Sequence, residues 1–483
     1  MLFNSIEFVI FLPIVFILYW FVTNRNLKLQ NLLLLVASYV FYGWWDWRFL
    51  SLIVFSSLVD YFVGLKIDGS PHISTKKKWL FFSIGVNLGL LGIFKYYNFF
   101  IQSWVDAWAT VGYEISPYTI KVILPVGISF YTFQTLSYSI DIYKGKLKPT
   151  RDYIAFASFV SFFPQLVAGP IERATNLLPQ FYKRRQFEYD KAVDGMRQIL
   201  WGLFKKIVIA DNCAITVNQI FADYTMYNGS ELLIGGVFFA FQIYGDFSGY
   251  SDIAIGVSRL FGFDLMRNFN YPYFSRDIAE FWRRWHISLS SWFRDYVYIP
   301  LGGSKGSNHK QIRNIFIIFI VSGFWHGANW TFIVWGVLNA VYFLPLMLLK
   351  KNRSNLDIVA KDKLFPSTKE VFQMGVTFML TIIAWVIFRS NSISDAVNYI
   401  IIMVNSIFTF PRTDVLNGEM TSFLGVCLLI IIEWVQRSKQ HGLEFNPKHR
   451  QPVIRWAAYL SITYLVMSYL KLVDLQNFIY FQF

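Results

Sequence analysis

Charged residues are scarce in this sequence. They make up 15% of its 483 residues, whereas soluble domains typically carry about 25%. Hydrophobic residues reach 55%, and no Gly/Ser-rich linker or polar domain interrupts them. This composition excludes an ordinary soluble domain and predicts a protein that crosses a membrane many times.

Cysteine is almost absent as well. The two cysteines, Cys213 and Cys427, show no Cys-x-x-Cys or Cys/His metal spacing, which excludes a disulfide framework and predicts no bound metal. Cys213 is better explained as a small packing residue than as an acyl carrier. No G-x-S-x-G elbow is present either. The sequence therefore predicts no bound cofactor and no strong nucleophile of its own.

The N-terminus lacks the basic region of a signal peptide. Glu7 is its only early charge, and Arg25 and Lys28 follow the first apolar run, which predicts a retained helix with its N-terminus outside the cytoplasm. The formal charge of +14 comes largely from short loops such as Lys76–Lys78 and Lys183–Arg185. Such loops are typical of cytoplasmic topology signals rather than of a nucleic-acid-binding protein.

Apolar runs long enough to span a bilayer recur along the chain, and a span needs about 20 residues. We predict about 11 or 12 transmembrane helices in an all-α fold. The candidate spans are roughly 6–23, 31–46, 49–65, 79–99, 121–140, 199–220, 231–256, 312–329, 331–349, 371–388, 420–436 and 455–472.

Two segments do not fit this pattern. Residues 151–170 are apolar but have basic loops on both sides and end in helix-breaking Pro164 and Pro170. They are predicted to be re-entrant or interfacial, and residues 257–311 are irregular too. Because irregular backbone at membrane depth must be buried in protein or line a cavity, both segments predict a central cavity. No internal repeat is visible, which weakens the alternative of a transporter or glycan flippase.

Among six histidines, His326 stands out because it lies in the apolar run "SGFWHGANWTF". Intramembrane ionisable residues are costly and usually functional, and an imidazole near its usual pKa suits a general base. As one helix, the run places Ser322, His326 and Asn329 on one face. Its glycines, Gly323 and Gly327, permit close helix approach. Trp325 and Trp330 are predicted to wall a narrow passage.

His286 lies in "FWRRWHISLSSWFRDYVYIPLGGS". As one helix over 281–298, this stretch has an apolar stripe that includes Trp285 and an opposite face with Arg283, His286 and Arg294. That face either touches lipid phosphates or turns inward to an anionic substrate. The following Gly-rich turn adds three further candidates for phosphate binding, Lys305, Lys310 and Arg313.

Acidic and basic residues also occur inside predicted spans. Asp246, in "FQIYGDFSGYSDIAIG", is predicted to orient a histidine, pair with an arginine or bind a facing helix. Lys205 and Lys206, in "GLFKKIVIAD", are predicted to snorkel to the cytoplasmic surface.

Several long motifs together resemble the membrane-bound O-acyltransferase family, in its bacterial alginate O-acetyltransferase-like branch. They are "LVAGPIER", "GLFKKIVIAD", "DFSGYSDIAIG", "NFNYPYFSRDIAEFWRRWHISLSSWFRDYVYIPLGG" and "SGFWHGANWTFIVWG". They occur in family order over roughly 160–336, and the N-terminal "FYGWWDWRFL" is similar too.

The resemblance implies a tunnel through an all-α fold, with His326 as the catalytic histidine and His286 as a second motif histidine. It implies a single membrane domain over 1–483, with a core of about 120–350 and C-terminal helices over 371–483. It further implies that cytoplasmic acetyl-CoA donates acetyl to an extracytoplasmic polysaccharide, with an SGNH-type acyltransferase as partner, in a bacterial inner membrane. Arg283, Arg294, Lys305, Arg313, Trp285, Trp325, Asn329 and Asp246 are the predicted substrate- or CoA-binding residues.

Overall fold

The computed structural model describes the whole chain except residues 118, 120–123, 413–419, 446–451, 471–477 and 480–483. No strand occurs among these described residues. The helices are α1 Ile6–Ile17, α2 Leu27–Asp46, α3 Leu50–Gly69, α4 Ile73–Leu91, α5 Tyr97–Ala109, α6 Ile128–Tyr143, α7 Tyr153–Ser161, α8 Ala174–Leu177, α9 Tyr189–Leu203, α10 Asp211–Ala222, α11 Gly229–Leu260, α12 Ile278–Arg284, α13 Ile287–Phe293, α14 Asn308–His326, α15 Trp330–Leu348, α16 Thr368–Arg389, α17 Ile393–Asn405, α18 Met420–Val435 and α19 Pro452–Leu470. In the described part of the chain, four π-helical turns extend or join these helices: Leu18–Val22, Gly92–Tyr96, Phe204–Ala210 and Arg294–Tyr298.

The chain divides into two compact units. The first contains residues 1–193 and 257–266, and the second contains residues 194–256 and 267–483. Helices α1 to α8 belong to the first unit, whereas α10 and α12 to α19 belong to the second. The single-domain organisation remains a prediction.

The all-helical fold class is confirmed. Among the described residues, six segments are long and apolar enough to cross a membrane: Leu27–Gly69, Ile73–Ala109, Gly229–Leu260, Trp330–Leu348, Thr368–Arg389 and Pro452–Leu470. The total of 11 or 12 crossings and the tunnel remain predictions. The start of the predicted span 121–140 and the end of 455–472 lie outside the described residues. The predicted span 79–99 corresponds to two helices, α4 and α5, joined by a π-helical turn.

The predicted irregular segment over 151–170 is short and buried. Helix α7 ends at Ser161, and residues 162–172 are buried while they follow a non-helical path. Buried backbone of this kind needs internal partners, and Phe163 N donates to Ser38 Oγ at 3.1 Å. The irregular conformation is confirmed, and the depth of the segment in the membrane remains a prediction.

Helices α14 and α15 form a tight hairpin in the second unit. A Cβ atom on Gly323 of α14 would lie 2.2 Å from the backbone oxygen of Phe332, and one on Gly336 of α15 would lie 2.5 Å from the backbone oxygen of Phe319. Because only hydrogen atoms fit there, the glycines set the distance between the two helices. The predicted role of Gly323 in close approach is confirmed.

The prediction that Lys205 and Lys206 snorkel to the surface is wrong. Both side chains are buried. Lys205 Nζ lies 2.5 Å from Asp252 Oδ2, and Lys206 Nζ lies 2.8 Å from Asp246 Oδ1 and 2.9 Å from Asp211 Oδ1. A buried ammonium needs such partners because removing it from water is costly. These carboxylates, on α10 and α11, hold the lysines in the interior.

Candidate active site

A cavity of about 550 Å³ in the second unit brings His286 and His326 together. Residues from α12, α13, α14, α15 and the segment after α15 line it. The two histidines are 40 positions apart in sequence, so no local pattern joins them. Because both histidines line this cavity, we take it as the candidate active site.

Helix α14 lines the cavity along most of its length. Apart from the adjacent pair Ile318 and Phe319, its lining residues follow one another at intervals of three or four, which keeps them on one side of the helix. From the first to the last of them the helix rises about 22 Å, at 1.5 Å per residue. They are Gln311, Ile315, Ile318, Phe319, Ser322 and His326. The cavity is therefore elongated, and His326 marks one end of it.

His326 is enclosed by aromatic rings. Its ring centroid lies 5.0 Å from that of Trp325, 5.2 Å from that of Trp335 and 5.5 Å from that of Phe388. His326 is 6% exposed. Trp325 lies beside the imidazole, whereas Trp330 is 53% exposed. Neither tryptophan is among the described residues that line the cavity, so their role as walls of a passage remains a prediction. Trp335 belongs to the same sequence motif as His326, whereas Phe388 comes from α16, which pattern reasoning did not connect with His326.

The predicted helix over 281–298 is wrong because the chain breaks at His286. Helix α12 ends at Arg284 and α13 begins at Ile287. His286 between them has φ 44° and ψ 54°, a left-handed conformation that is unusual for a residue with a Cβ and often marks a functional site. Residues of both predicted helix faces consequently line the same cavity, among them Trp285 and Arg283.

Asn268 holds this break in place. Its backbone oxygen accepts from Ile287 N at 2.8 Å. Its side-chain Oδ1 accepts from Ser288 N at 3.2 Å and from Ser288 Oγ at 2.8 Å, while its Nδ2 donates to Ser251 Oγ at 3.1 Å. Asn268 is completely buried. A backbone N–H only donates, so the contact with Ser288 N identifies the facing amide atom as the oxygen.

This orientation fixes the tautomer of His286. Its Nδ1 lies 3.1 Å from Asn268 Oδ1, an atom that only accepts, so Nδ1 carries the proton and Nε2 has the free lone pair. Nε2 has no hydrogen-bond partner among the described residues. Burial lowers the pKa of His286, which lies outside the six apolar spans, well below its usual range. The site thus contains a neutral imidazole whose Nε2 can accept a hydrogen bond.

Substitution of Asn268 by Ala is expected to lower the catalytic rate about tenfold or more, because a buried hydrogen bond is lost and the tautomer of His286 is no longer fixed.

Asn268→Asp keeps the hydrogen-bond acceptor but adds a negative charge, which raises the pKa of His286. The rate of this variant should fall with decreasing pH at a higher pH than in the wild type. A pH–rate profile measures both effects. Asn339→Ala, which removes a bond within its own helix to Trp335 O, is the control. A profile of Asn268→Asp that overlays the wild type would contradict the assignment.

Arg283 lies at the cavity but is already engaged. Its Nη1 donates to Asn352 O at 2.7 Å and its Nη2 to Asn355 O at 2.8 Å. Arg276 and Arg284 nearby both contact Glu280, which is 1% exposed. Of the predicted basic face, Arg283 therefore holds the segment after α15 against α12. Arg276 and Arg284, which were not part of that face, bind the same segment at Asp357.

The other predicted site residues are distributed unevenly. Arg294 lines the cavity, with Nε 2.7 Å from Asp295 Oδ1. The described residues that line the cavity do not include Lys305, Arg313, Asn329 or Asp246. Lys305 is exposed, and Arg313 donates to Asn314 Oδ1 at 2.9 Å. Their binding role remains a prediction.

Two of those predicted residues have visible structural contacts instead. Asn329 caps α15, since its Oδ1 accepts from Thr331 N at 3.0 Å. The predicted shared helix face of Ser322, His326 and Asn329 is wrong, because α14 ends at His326. Asp246 pairs with Lys206 and accepts from Ile479 N at 2.6 Å, so it joins parts of the interior that are remote in sequence.

Sequence reasoning missed three polar contributors to the site. Lys350 and Arg353 follow α15 and line the cavity together with Arg283 and Arg294, at the end away from His326. Their signal was the basic run "KKNR", which was used only for topology. Asn268 gave a weaker signal, because a single buried asparagine in "NFNYPYF" shows no pattern before folding.

Comparison with known proteins identifies the class. The model of the membrane-bound O-acyltransferase family matches residues 146–387. A probable alginate O-acetylase of Pseudomonas putida is 40% identical over 437 residues, 89% of this chain and 85% of that protein. A peptidoglycan O-acetyltransferase of Helicobacter pylori is 36% identical, over 82% of this chain and 78% of that protein. A teichoic acid D-alanyltransferase of Bacillus subtilis is 33% identical, over 45% of this chain and 57% of that protein.

The family match and the high coverage of the first two relatives confirm the predicted family and enzyme class. The apolar helices agree with them. The chain belongs to the membrane-bound O-acyltransferase family, and it is a multi-pass bacterial membrane enzyme that transfers acyl groups.

Proposed function

We propose that this enzyme takes acetyl from cytoplasmic acetyl-CoA and passes it across the inner membrane for O-acetylation of an extracytoplasmic polysaccharide. The observation that carries the proposal is the elongated cavity with His326 at one end and Arg283, Arg294, Lys350 and Arg353 towards the other. A long thioester with a phosphorylated head needs such a basic entrance, an apolar passage and a proton acceptor.

The names of the relatives support acetyl and a polysaccharide. The two relatives that this chain covers over about four fifths of their length are named for O-acetylation of alginate and of peptidoglycan. Both acceptors are carbohydrate polymers with hydroxyl groups. We therefore propose a polysaccharide hydroxyl as the final acceptor, reached directly or through an extracytoplasmic SGNH-type acyltransferase partner.

In the proposed reaction, His326 is the general base. The acceptor oxygen attacks the thioester carbonyl carbon while its proton moves to the imidazole. The carbon–sulfur bond then breaks, and the proton passes from the imidazolium to the leaving thiolate. The surrounding rings of Trp325, Trp335 and Phe388 exclude water, which limits hydrolysis of the thioester.

His286 has a supporting position in this scheme. Its Nε2 lone pair is an acceptor fixed by the Nδ1–H bond to Asn268 Oδ1. It suits a hydrogen bond from the acceptor hydroxyl or from a donor amide, and it would orient that group rather than remove its proton. We expect His286→Ala to reduce the rate less than substitution of His326.

Phosphate groups of the donor should enter at the basic end, since guanidinium groups form strong charge-assisted bonds with phosphate. Neutralising Arg294 and Arg353 together to Gln is expected to raise the KM for acetyl-CoA about tenfold, with a smaller change in kcat. Steady-state kinetics at two salt concentrations measures this effect. Lys78→Gln, which removes an exposed charge from α4, a helix that does not line the cavity, is the control. An unchanged KM for acetyl-CoA in the folded double variant would show that these arginines do not bind the donor.

The orientation of the chain can be tested with cysteine labelling. Ser307 lies in the basic loop before α14, which the positive-inside rule places in the cytoplasm. In a variant lacking Cys213 and Cys427, Ser307→Cys should react with an impermeant maleimide only after the membrane is opened. Met226 is 67% exposed and is separated from the basic loop Lys183–Arg185 by one predicted span, 199–220, so the proposed topology puts it outside. Met226→Cys should therefore react in intact cells. Ready labelling of the Ser307 variant in intact cells would show that this loop faces outward and would contradict the proposed orientation.

Acetyl transfer from labelled acetyl-CoA tests the function as a whole. Purified enzyme is incubated with the donor and a soluble polysaccharide, with and without a membrane extract that supplies the partner. The proposal requires His326-dependent labelling of the polymer. A flippase, the alternative, would move glycan without consuming the thioester.

A further inference from the structure

A groove of about 560 Å³ lies in the first unit, between the end of α1 and the loop before α9. One part of its lining is aromatic and the other part is polar or basic. The lining residues are Phe16, Trp20, Phe21, Asn24, Arg184, Arg185, Gln186 and Phe187. None of them contributes to the cavity of the candidate active site, so the groove needs an explanation of its own.

Arg185 is the central residue of this groove. It is 7% exposed, and its guanidinium donates to Gln30 Oε1 at 3.1 Å, Asn31 Oδ1 at 2.7 Å and Gln180 O at 3.3 Å. All three acceptors are neutral. Among the described residues no carboxylate lies within ion-pair distance of Arg185, and its Nε has no hydrogen-bond partner.

A buried cation with only neutral partners is unusual, because desolvating a charge is costly unless it is paired. Two aromatic rings stand close to the guanidinium, since its carbon lies 4.9 Å from the ring centroid of Phe263 and 5.6 Å from that of Tyr19. Cation–π contacts contribute only about 0.5–2 kcal/mol. Arg185 therefore remains suited to an anion that enters the groove.

The surroundings indicate which anion. Phe21 is 76% exposed and Phe187 is 48% exposed, and exposed Phe side chains on a membrane protein suit insertion at the boundary between headgroups and acyl chains. The outer face of α1 is apolar, with Ile14 and Ile17 more than half exposed. We infer that this groove binds an anionic phospholipid, with the headgroup phosphate on Arg184 and Arg185 and the acyl chains along α1. Basic pockets next to membrane helices recognise lipid headgroups in this way.

Native mass spectrometry of the delipidated full-length protein tests the inference. Phosphatidylglycerol and phosphatidylcholine with identical acyl chains are titrated in parallel, and phosphatidylglycerol should bind at least tenfold more tightly. Arg185→Gln should weaken phosphatidylglycerol binding about tenfold or more, because a charge-assisted hydrogen bond to the phosphate is lost. Lys183→Gln removes an exposed charge of the same loop that does not line the groove, and it should change the affinity only slightly.

A second variant covers the case in which Arg185→Gln does not fold, since Arg185 also ties α2 to this loop. Arg184 is exposed, so Arg184→Gln should fold normally and still weaken phosphatidylglycerol binding several-fold more than Lys183→Gln does. Equal binding of the two lipids, or the same affinity in the Arg184 and Lys183 variants, would overturn the inference. Displacement of the lipid by millimolar inorganic phosphate would also overturn it and would indicate a soluble anion instead.

Discussion

His326→Gln is expected to abolish measurable acetyl transfer while the protein remains folded and binds acetyl-CoA. A glutamine amide fills similar space and forms hydrogen bonds, but it cannot take the proton of the acceptor hydroxyl. General base catalysis contributes about 10²–10⁴-fold, so the remaining rate should be lower by at least two orders of magnitude. Transfer of labelled acetyl by the purified variant, at matched monodispersity, is the measurement.

A control for this experiment lies on the same helix. His309 is exposed near the start of α14 and does not line the cavity, so His309→Gln should keep wild-type activity. Binding of acetyl-CoA by both variants, measured by calorimetry, separates loss of chemistry from loss of the donor site. Activity of His326→Gln within a few-fold of wild type would show that the imidazole is structural, and the base would then have to be another group.

Gly323→Ala is expected to destabilise the protein more than any other single methyl addition in α14. The new Cβ would lie 2.2 Å from Phe332 O, and a backbone atom cannot move aside as the end of a side chain can. Overpacking of this kind costs about 1–3 kcal/mol and sometimes more. The hairpin of α14 and α15 must open, which would also displace His326. Thermal unfolding followed by fluorescence in detergent measures the loss.

Gly375→Ala is the matched control for this substitution. Gly375 lies within α16, and nothing approaches its Cβ position within 4 Å. Alanine favours a helix over glycine by about 1 kcal/mol, so this variant should be as stable as the wild type or slightly more stable. A wild-type melting temperature for Gly323→Ala would show that the hairpin is looser than the contacts indicate.

Much of the fold follows from local sequence. Apolar runs predict most of the helices to within a few residues, because a helix that meets lipid or a core must be apolar over about 20 residues. The break after His326 was misplaced by only about three residues. His326 itself was singled out by its apolar neighbours, and Gly323 by its position on the same helix.

The arrangement of the site was decided by contacts between remote segments. The break at His286 depends on hydrogen bonds to Asn268, 18 positions earlier, and helical periodicity alone favoured an uninterrupted helix over 281–298. Lys205 was predicted to reach the surface because a lysine near the end of an apolar run usually extends its long side chain to the membrane surface. Only the folded structure shows that Lys205 forms an ion pair with Asp252 in the interior.

The sequence by itself thus determined the membrane class, most helices, the family and the two histidines, because each of these depends on composition or on neighbours along the chain. Tertiary structure decided which groups face the same cavity. It brought Lys350 and Arg353 into the lining of the same cavity as Arg294, selected the tautomer of His286 and left Arg185 among neutral partners. These properties depend on distances between segments that are far apart in sequence, and such distances are set by packing rather than by local pattern.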